Sequence, residues 1–426
     1  MKKRVLAGAA VVAGALLLSA CASGQTDGAS GKGETLNVWI MEGTNPDSDA
    51  FFSDVKSEFE KETGAKLKID FVQWADAHDR FVTSIAGGTT PDVAETGNTW
   101  TAEFADAGGL LPISSYVEKS GLEKDLVEGL EKSGSYDGEL YGMPWYAGVR
   151  GLVYRADVFS ELGIEAPKNW DEIVAAGEKI KAAKPDMIPF AVPGNAEMSA
   201  YPWVWGAGGE VATEKNGKWT SGLDSEKSRE GLSFYTGLAT QHQFSSPGAT
   251  TWKETDVLDN FVQGKVAMAI QGSWTPATMI EKAPDLKGKI AATTIPGKDG
   301  GISPSVLGGS HLSIFNTSKK PELAWEFVKL MTTGKFAKEW ASQSGYFPGQ
   351  KSLVEETMKS TDPLVAPFAK QFVEGGSALP VSPKFGAVQA KQTTNAMIQS
   401  ILSGQQSVEK ASTTAADEMQ KLLNQK

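Results

Sequence analysis

Thr35–Trp74 reads TLNVWIMEGTNPDSDAFFSDVKSEFEKETGAKLKIDFVQW. Three patterns follow one another in it. TLNVWI alternates and is rich in β-formers, which predicts a strand over 35–40. In DAFFSDVKSEFEKETG, Phe51, Phe52, Val55 and Phe59 recur at the spacing of one helical face, and Gly64 supplies a residue that can close the helix. KLKIDFVQW then alternates again. Strand, helix, strand is a βαβ unit, and the alternation continues outward from it. DRFVTSIAGG (79–88) reads as helix, PDVAET (91–96) as strand and TAEFADAGGLL (101–111) as helix. The expected fold class is therefore α/β, with sheets flanked by helices.

Downstream segments fit the same plan. MPWYAGVRGLVYRADVF (143–159) holds a strand flanked by aromatics. KNWDEIVAAGEKIKAA opens with Asn169 and has Glu172 three residues later, a capping-box spacing. ETDVLDNFVQGKVAMAIQGSW predicts a helix ending near Gly264, then a buried strand over 266–270. KKPELAWEFVKLMTT starts a helix with Pro321 near its first position. Two last helices are expected, roughly over 386–402 and 407–423, separated by Gly404.

Upstream, Lys2, Lys3 and Arg4 precede an apolar run, Val5–Ala20, that closes on small residues. This order is that of a secretory leader, and the run is short for a bilayer span. The run ends at Cys21, the only cysteine, in Leu18-Ser19-Ala20-Cys21. That tetrapeptide resembles the lipobox of bacterial lipoproteins, with the thiol as site for a thioether-linked diacylglycerol. The rival reading is an ordinary leader with an incidental cysteine. Residues 1–20 are thus expected to be a signal peptide and 21–34 a lipidated N-terminus and polar tether, since that tract has little to bury.

Composition narrows the functional classes. The 426-residue chain is 40% hydrophobic and 22% charged, with a formal charge of −11. Without Lys2, Lys3 and Arg4, 38 basic residues would face 52 acidic ones, about −14. An acidic body argues against nucleic acid and anionic ligands. A lone cysteine leaves no internal disulfide framework and no thiolate metal site, and His78, His242 and His311 show no metal-ligand spacing. No cofactor or metal is expected. No Gly-x-Ser-x-Gly elbow or phosphate-binding loop occurs, and the Gly-rich GAGGE and VLGGSH read as tight turns or close backbone approaches.

The twelve tryptophans say more. Trp74, Trp100, Trp145, Trp205 and Trp274 fall at or just after expected strand ends, among Gly, Pro, Asn and Thr. Ligands of open α/β sheets bind outside the carboxyl ends of strands. Indoles there offer planes for the apolar C–H faces of sugar rings, with Asn, Gln, Asp, Glu and Arg for the hydroxyls. Trp170, Trp325 and Trp340 read instead as packing residues.

Five segments in order resemble one known family: GGTTPDVAET followed by FADAGGLLPI; YGMPW followed by GLVYRADVF; APKNWDEI; FVQGKVAMAIQGSW; and LGGSHLSIFNTSKKPELAWEFVKLM. They look like the extracellular solute-binding proteins of ABC sugar importers, the maltose-binding-protein-like group. The resemblance implies a two-lobed periplasmic-binding-protein-like fold of type II with the ligand between the lobes. One lobe would comprise 35–148 plus 310–360, the other 149–309 plus 361–426, with crossings near Ala147–Gly151 and Leu307–His311. It implies a non-enzymatic, monomeric receptor on the extracytoplasmic face of a cell membrane. Its partners would be a carbohydrate, a transmembrane permease and a separate ATPase subunit.

Carried over by position, the candidate ligand residues are Glu42, Thr44 and Asn45 after the first strand, and Gln73, Trp74 and Asp76 after the second. Asn98, Thr99 and Trp100 follow PDVAET; Asn195 and Glu197 precede the segment holding Trp205; Trp274 matches a position where the family stacks an aromatic on sugar. Trp145, Tyr146, Gly309 and Ser310, near the crossings, complete the set. Where the maltose-type pattern has an acidic hinge residue, this chain has YAGVRGL, so Arg150 is a candidate and maltodextrin specificity does not carry over. The rival reading from a different class is a secreted polysaccharide-degrading lipoprotein, a glycoside hydrolase with a carboxylate pair.

Overall fold

The computed structural model describes residues 31–42 and 48–425. Cys21, Thr44 and Asn45 lie outside the described residues. The opening βαβ unit forms as its periodicity dictates. Strand β1 (Thr35–Met41) pairs in parallel with β2 (Lys66–Val72), from Thr35 opposite Lys66 to Met41 opposite Val72. The connecting helix Ser48–Thr63 buries Phe51, Phe52, Val55 and Phe59 against the sheet. It stops because Gly64 takes φ 73°, where a side chain would be strained. The next strand, β3 (Val93–Gly97), lies parallel to β1 on its other side.

The chain then lays β4 (Met143–Gly148) into the same sheet and, after Val149 alone, begins β5 (Arg150–Arg155) in a second one. The second sheet adds β6 (Ile188–Phe190), β7 (Val266–Gly272) and β8 (Ile290–Thr293). The chain returns through β9 (Gly308–Ile314), antiparallel to both β3 and β4, and β10 (Phe347–Pro348) closes the edge. The orders are β10-β4-β9-β3-β1-β2 and β8-β5-β7-β6. MPWYAGVRGLVYRADVF, expected to hold one strand, thus holds two, in different sheets. The last helices also differ from expectation: 386–402 is broken into Phe385–Ala390 and Thr393–Leu402, because Gln392 takes φ 59°.

Each sheet has its own core. Around the first pack Leu36, Val38, Phe52, Leu312, Trp325 and Trp340. Around the second pack Leu152, Phe190, Trp203, Tyr235 and Met419. A further buried cluster spans the crossing, with Ala147, Val149, Leu307 and Phe347 against Val153, Phe261, Phe368 and Phe372. The capping arrangement at Trp170–Ala183 forms with a shift: Asn169 Oδ1 accepts from Glu172 N at 2.9 Å, while the Glu172 carboxylate accepts from Lys168 N at 2.8 Å.

His311 on β9 is fully buried. Its Nε2 donates to the Leu130 carbonyl at 3.1 Å and its Nδ1 accepts from Thr101 Oγ1 at 2.8 Å. Burial holds this imidazole neutral, with its pKa pushed down to about 4. The unfolded chain takes up a proton near pH 6.5, so His311 favours the fold fully above that value and loses its contribution as pH falls toward 4. At 1.36 kcal/mol per unit the loss is roughly 3 kcal/mol. Urea unfolding at pH 7 and pH 4 should show a wild-type stability that falls with acid by about that much more than in His311→Asn. Equal acid sensitivity in the two proteins would contradict the assignment.

Candidate functional site

In the first sheet β1, β2 and β3 run parallel, so their carboxyl ends share one edge. That edge carries Glu42, then Gln73 and Trp74, then Asn98, Thr99 and Trp100. In the second sheet β6 runs parallel to β7, and β5 antiparallel to it. The carboxyl ends of β6 and β7 and the start of β5 therefore also share an edge, which carries Asn195, Glu197, Trp274 and Arg150. On the second sheet's edge the topology alone gathers Arg150 and Trp274, more than 100 positions apart.

Trp274 follows Gly272 and Ser273 and starts the helix Thr275–Lys282. Its indole lies over two glycines, one from each sheet. A Cβ on Gly148 would come 2.4 Å from Cζ3 of Trp274, and one on Gly272 2.3 Å from Cζ2. Both positions need glycine for this reason of space. Tyr346 stacks beside it with ring centroids 5.5 Å apart and planes 27° apart. Both rings are half-buried.

The Arg150 guanidinium sits 5.4 Å from the Trp274 ring centroid. Its Nε donates to Glu254 Oε1 at 2.6 Å and its Nη2 to Oε2 at 3.0 Å, a two-pronged charge-assisted pair. Arg150 is 9% exposed. Glu197 is buried to the same extent, and its carboxylate accepts from Tyr201 Oη and Gln389 Nε2, each at 3.3 Å. Burial raises its pKa, against those donors and the nearby Arg150. Trp205 lies 5.8 Å from Tyr201 and is half-buried.

On the first sheet's edge, Trp74 and Trp100 are 5.5 Å apart and half-buried. His78 meets Trp100 edge-on at 5.4 Å and shares a hydrogen bond of 3.0 Å with Glu103. Gln73 donates to Glu42, and Asp76 is exposed. Between the two sheets' segments lies an open groove of about 980 Å³. Its walls include Lys132, Tyr136 and Asp137 on one side and Trp205, Trp219 and Pro380 on the other. A smaller recess brings Thr99 opposite Pro380 and Phe385.

Several sequence-derived candidates stand elsewhere. Trp145 is 0% exposed, inside β4 rather than after it, and stacks on Trp340 at 4.6 Å. It is a core residue. Trp205 sits in the last turn of the helix Glu197–Gly206, not at a strand end. The Asn98 side chain donates to the Leu307 carbonyl at 2.8 Å, and its backbone N–H to Gly309 O at 2.9 Å, so it ties β3 to the crossing strand. Tyr146 and Ser310 are buried and both donate to Glu95 Oε1 at 2.6 Å, while Met41 N donates to Oε2 at 2.8 Å. Burial pushes the Glu95 carboxyl up to about 7 despite these donors. Gly309 offers only backbone, and a Cβ there would lie 2.1 Å from Tyr146 O. Asn195 is half-buried, its N–H donating to Trp252 O.

The sequence reading missed Glu254, Tyr346, Gln389 and Glu95. Tyr346 had the signal that singled out Trp274, an aromatic just after a small-residue turn. Glu254 and Gln389 had none. Among the described residues no cluster of His, Cys, Asp and Glu could hold a metal ion, and no helix is long and apolar enough to cross a membrane.

Known proteins resemble this chain in sequence and in fold. The chain is 30% identical over 397 residues to the diacetylchitobiose binding protein DasA of Streptomyces coelicolor, covering 91% of each. It is 26% identical over 322 residues to an arabinooligosaccharide-binding protein of Bacillus subtilis, 74% of this chain and 72% of that one. The structure of the sugar-binding protein MalE from Xanthomonas citri superposes with a TM-score of 0.82 at 24% identity, over 91% of this chain and 97% of that one, a likeness of fold. The family model described as bacterial extracellular solute-binding protein matches residues 43–336, and the chain belongs to that family.

Proposed function

We propose that this protein is the substrate-binding component of an ABC importer that captures a neutral oligosaccharide and delivers it to a membrane permease served by a separate ATPase. The observation that carries the reading is the set of half-buried aromatic planes: Trp74 and Trp100 at the first sheet's edge, Trp274 and Tyr346 stacked beside the crossing, and Trp205 in the wall of the open groove. Sugar rings stack on such planes through their C–H faces. The arginine beside them is already neutralised by Glu254, which leaves hydroxyl-matching groups such as Glu197, Gln389 and Gln73 for the ligand. Relatives named for diacetylchitobiose and arabinooligosaccharides support an oligosaccharide over a monosaccharide.

Calorimetric titration with a panel of neutral di- to tetrasaccharides tests the reading. Saturable one-to-one binding to at least one is expected, with weak dependence on salt, because stacking and neutral hydrogen bonds are little screened. Release of shorter products on prolonged incubation would instead favour the hydrolase.

The working site is the extracytoplasmic face, with the body tethered as a monomer through lipid on Cys21. Two acyl chains anchor firmly, at ~0.8 kcal/mol per buried CH₂. Cys21→Ser should move the protein from the membrane to the soluble fraction with its melting temperature unchanged. Retention of Cys21→Ser in the membrane would refute lipidation at this position.

A further inference from the structure

We propose that Glu254 is a specificity-determining residue: by pairing with Nε and Nη2 along one edge of the Arg150 guanidinium, it neutralises the cation beside Trp274 and so disfavours acidic sugars. This rests on the oligosaccharide reading above and adds to it the charge class that the site refuses.

Arg150 stands at the junction of the two sheets. It opens β5 one residue past the crossing, with its Cζ 5.4 Å from the Trp274 ring centroid. Its Nη1 lies 4.0 Å from where a Cβ on Gly308 would be, so the group sits where the two sheets meet. A sugar stacked on Trp274 would carry its rim substituents into this neighbourhood. An unpaired guanidinium there would be a fork for a carboxylate or sulfate. Glu254 already fills that fork at 2.6 and 3.0 Å. It comes from the first turn of the helix Glu254–Val262, and no Asp or Glu lies within six residues of Arg150 in the chain.

The second carboxyl facing Arg150, Glu197, is held by Tyr201 and Gln389 rather than by the guanidinium. A ligand carboxylate arriving beside Trp274 would therefore meet two acids and one cation whose charge Glu254 already balances through Nε and Nη2. Discrimination of this kind works by repulsion and by denied hydrogen bonds, not by better contacts to the accepted ligand. Removing one member of the pair should convert the site: Glu254→Gln frees the cation, and Arg150→Gln frees the anion.

Calorimetry on the purified full chain tests this with maltotriose and diacetylchitobiose, their C6-carboxylated counterparts, and unacetylated chitobiose as the cationic probe. Glu254→Gln is expected to shift the affinity ratio toward the carboxylated sugar by about tenfold or more, an advantage that shrinks as salt shortens the screening length. Arg150→Gln is expected to shift it about as far toward the amine-bearing sugar, and is an independent arm should Glu254→Gln not fold. Cooperative melting establishes that each variant is folded. A folded variant with the wild-type charge preference overturns the proposal. If the wild type binds none of the neutral probes, the oligosaccharide reading falls first, and this inference with it.

Discussion

Replacing Trp145 by alanine is expected to lower the unfolding free energy by about 3–5 kcal/mol, the range for emptying a large aromatic from a packed core. The indole is 0% exposed. It stacks on Trp340 at 4.6 Å with planes 28° apart, and meets Tyr146 edge-on at 4.9 Å. Trp340 in turn touches Phe51 at 5.0 Å and Phe52 at 5.6 Å, the residues that seat the first helix on the sheet. A cavity here loosens the contact between that helix, β4 and the helix Gly334–Ser344 together. Urea unfolding followed by tryptophan fluorescence measures the loss. Sugar affinity of the still-folded protein should change less than fivefold, because the ring contacts no cleft surface. A variant with near-native stability and strongly weakened binding would return Trp145 to the ligand site.

Trp274→Ala should do the opposite. A sugar face stacked on its indole contributes on the order of 1–3 kcal/mol, by analogy with other aromatic hot spots. At ~1.4 kcal/mol per decade, binding should weaken by roughly tenfold or more. Stability should fall far less than in Trp145→Ala, since the ring is half-buried and rests on two glycines rather than inside a core. Gly148→Ala gives an independent check. Its new Cβ would fall 2.4 Å from the Trp274 ring, and because β4 is held at both edges the ring must move instead. Weakened binding in both variants is the expected result. Wild-type affinity in Trp274→Ala with a collapsed melting temperature would make the residue structural.

What could be read from the chain alone was whatever is encoded between near neighbours. The period of Phe51, Phe52, Val55 and Phe59, the stop at Gly64, the cap at Asn169 and the alternation of strand and helix are all local. Together they determined the α/β class. Trp325 and Trp340 were legible as core because each falls in a helical apolar pattern, and Trp170 as a packing residue because it follows a helix cap; all three are buried. Trp274 was legible as an edge residue because it follows a strand and a small-residue turn.

Trp145 gave a misleading signal of the same kind. It sits among Pro, Tyr, Ala and Gly near a strand end, yet a partner 195 positions on covers it. Strand register, not sequence pattern, chose which face of β4 it took. Asn98 had the composition of a binding residue, but the crossing strand engages its amide across 209 positions. Glu254 was one acid among 52 until the fold set it against Arg150, 104 residues away. Periodicity and capping act over a few residues and survive in one dimension. Which polar groups satisfy each other, and which remain for a ligand, depends on close approach between distant segments. Only the packed tertiary structure decides that, because hydrogen bonds need their heavy atoms about 3 Å apart and ion pairs weaken with distance.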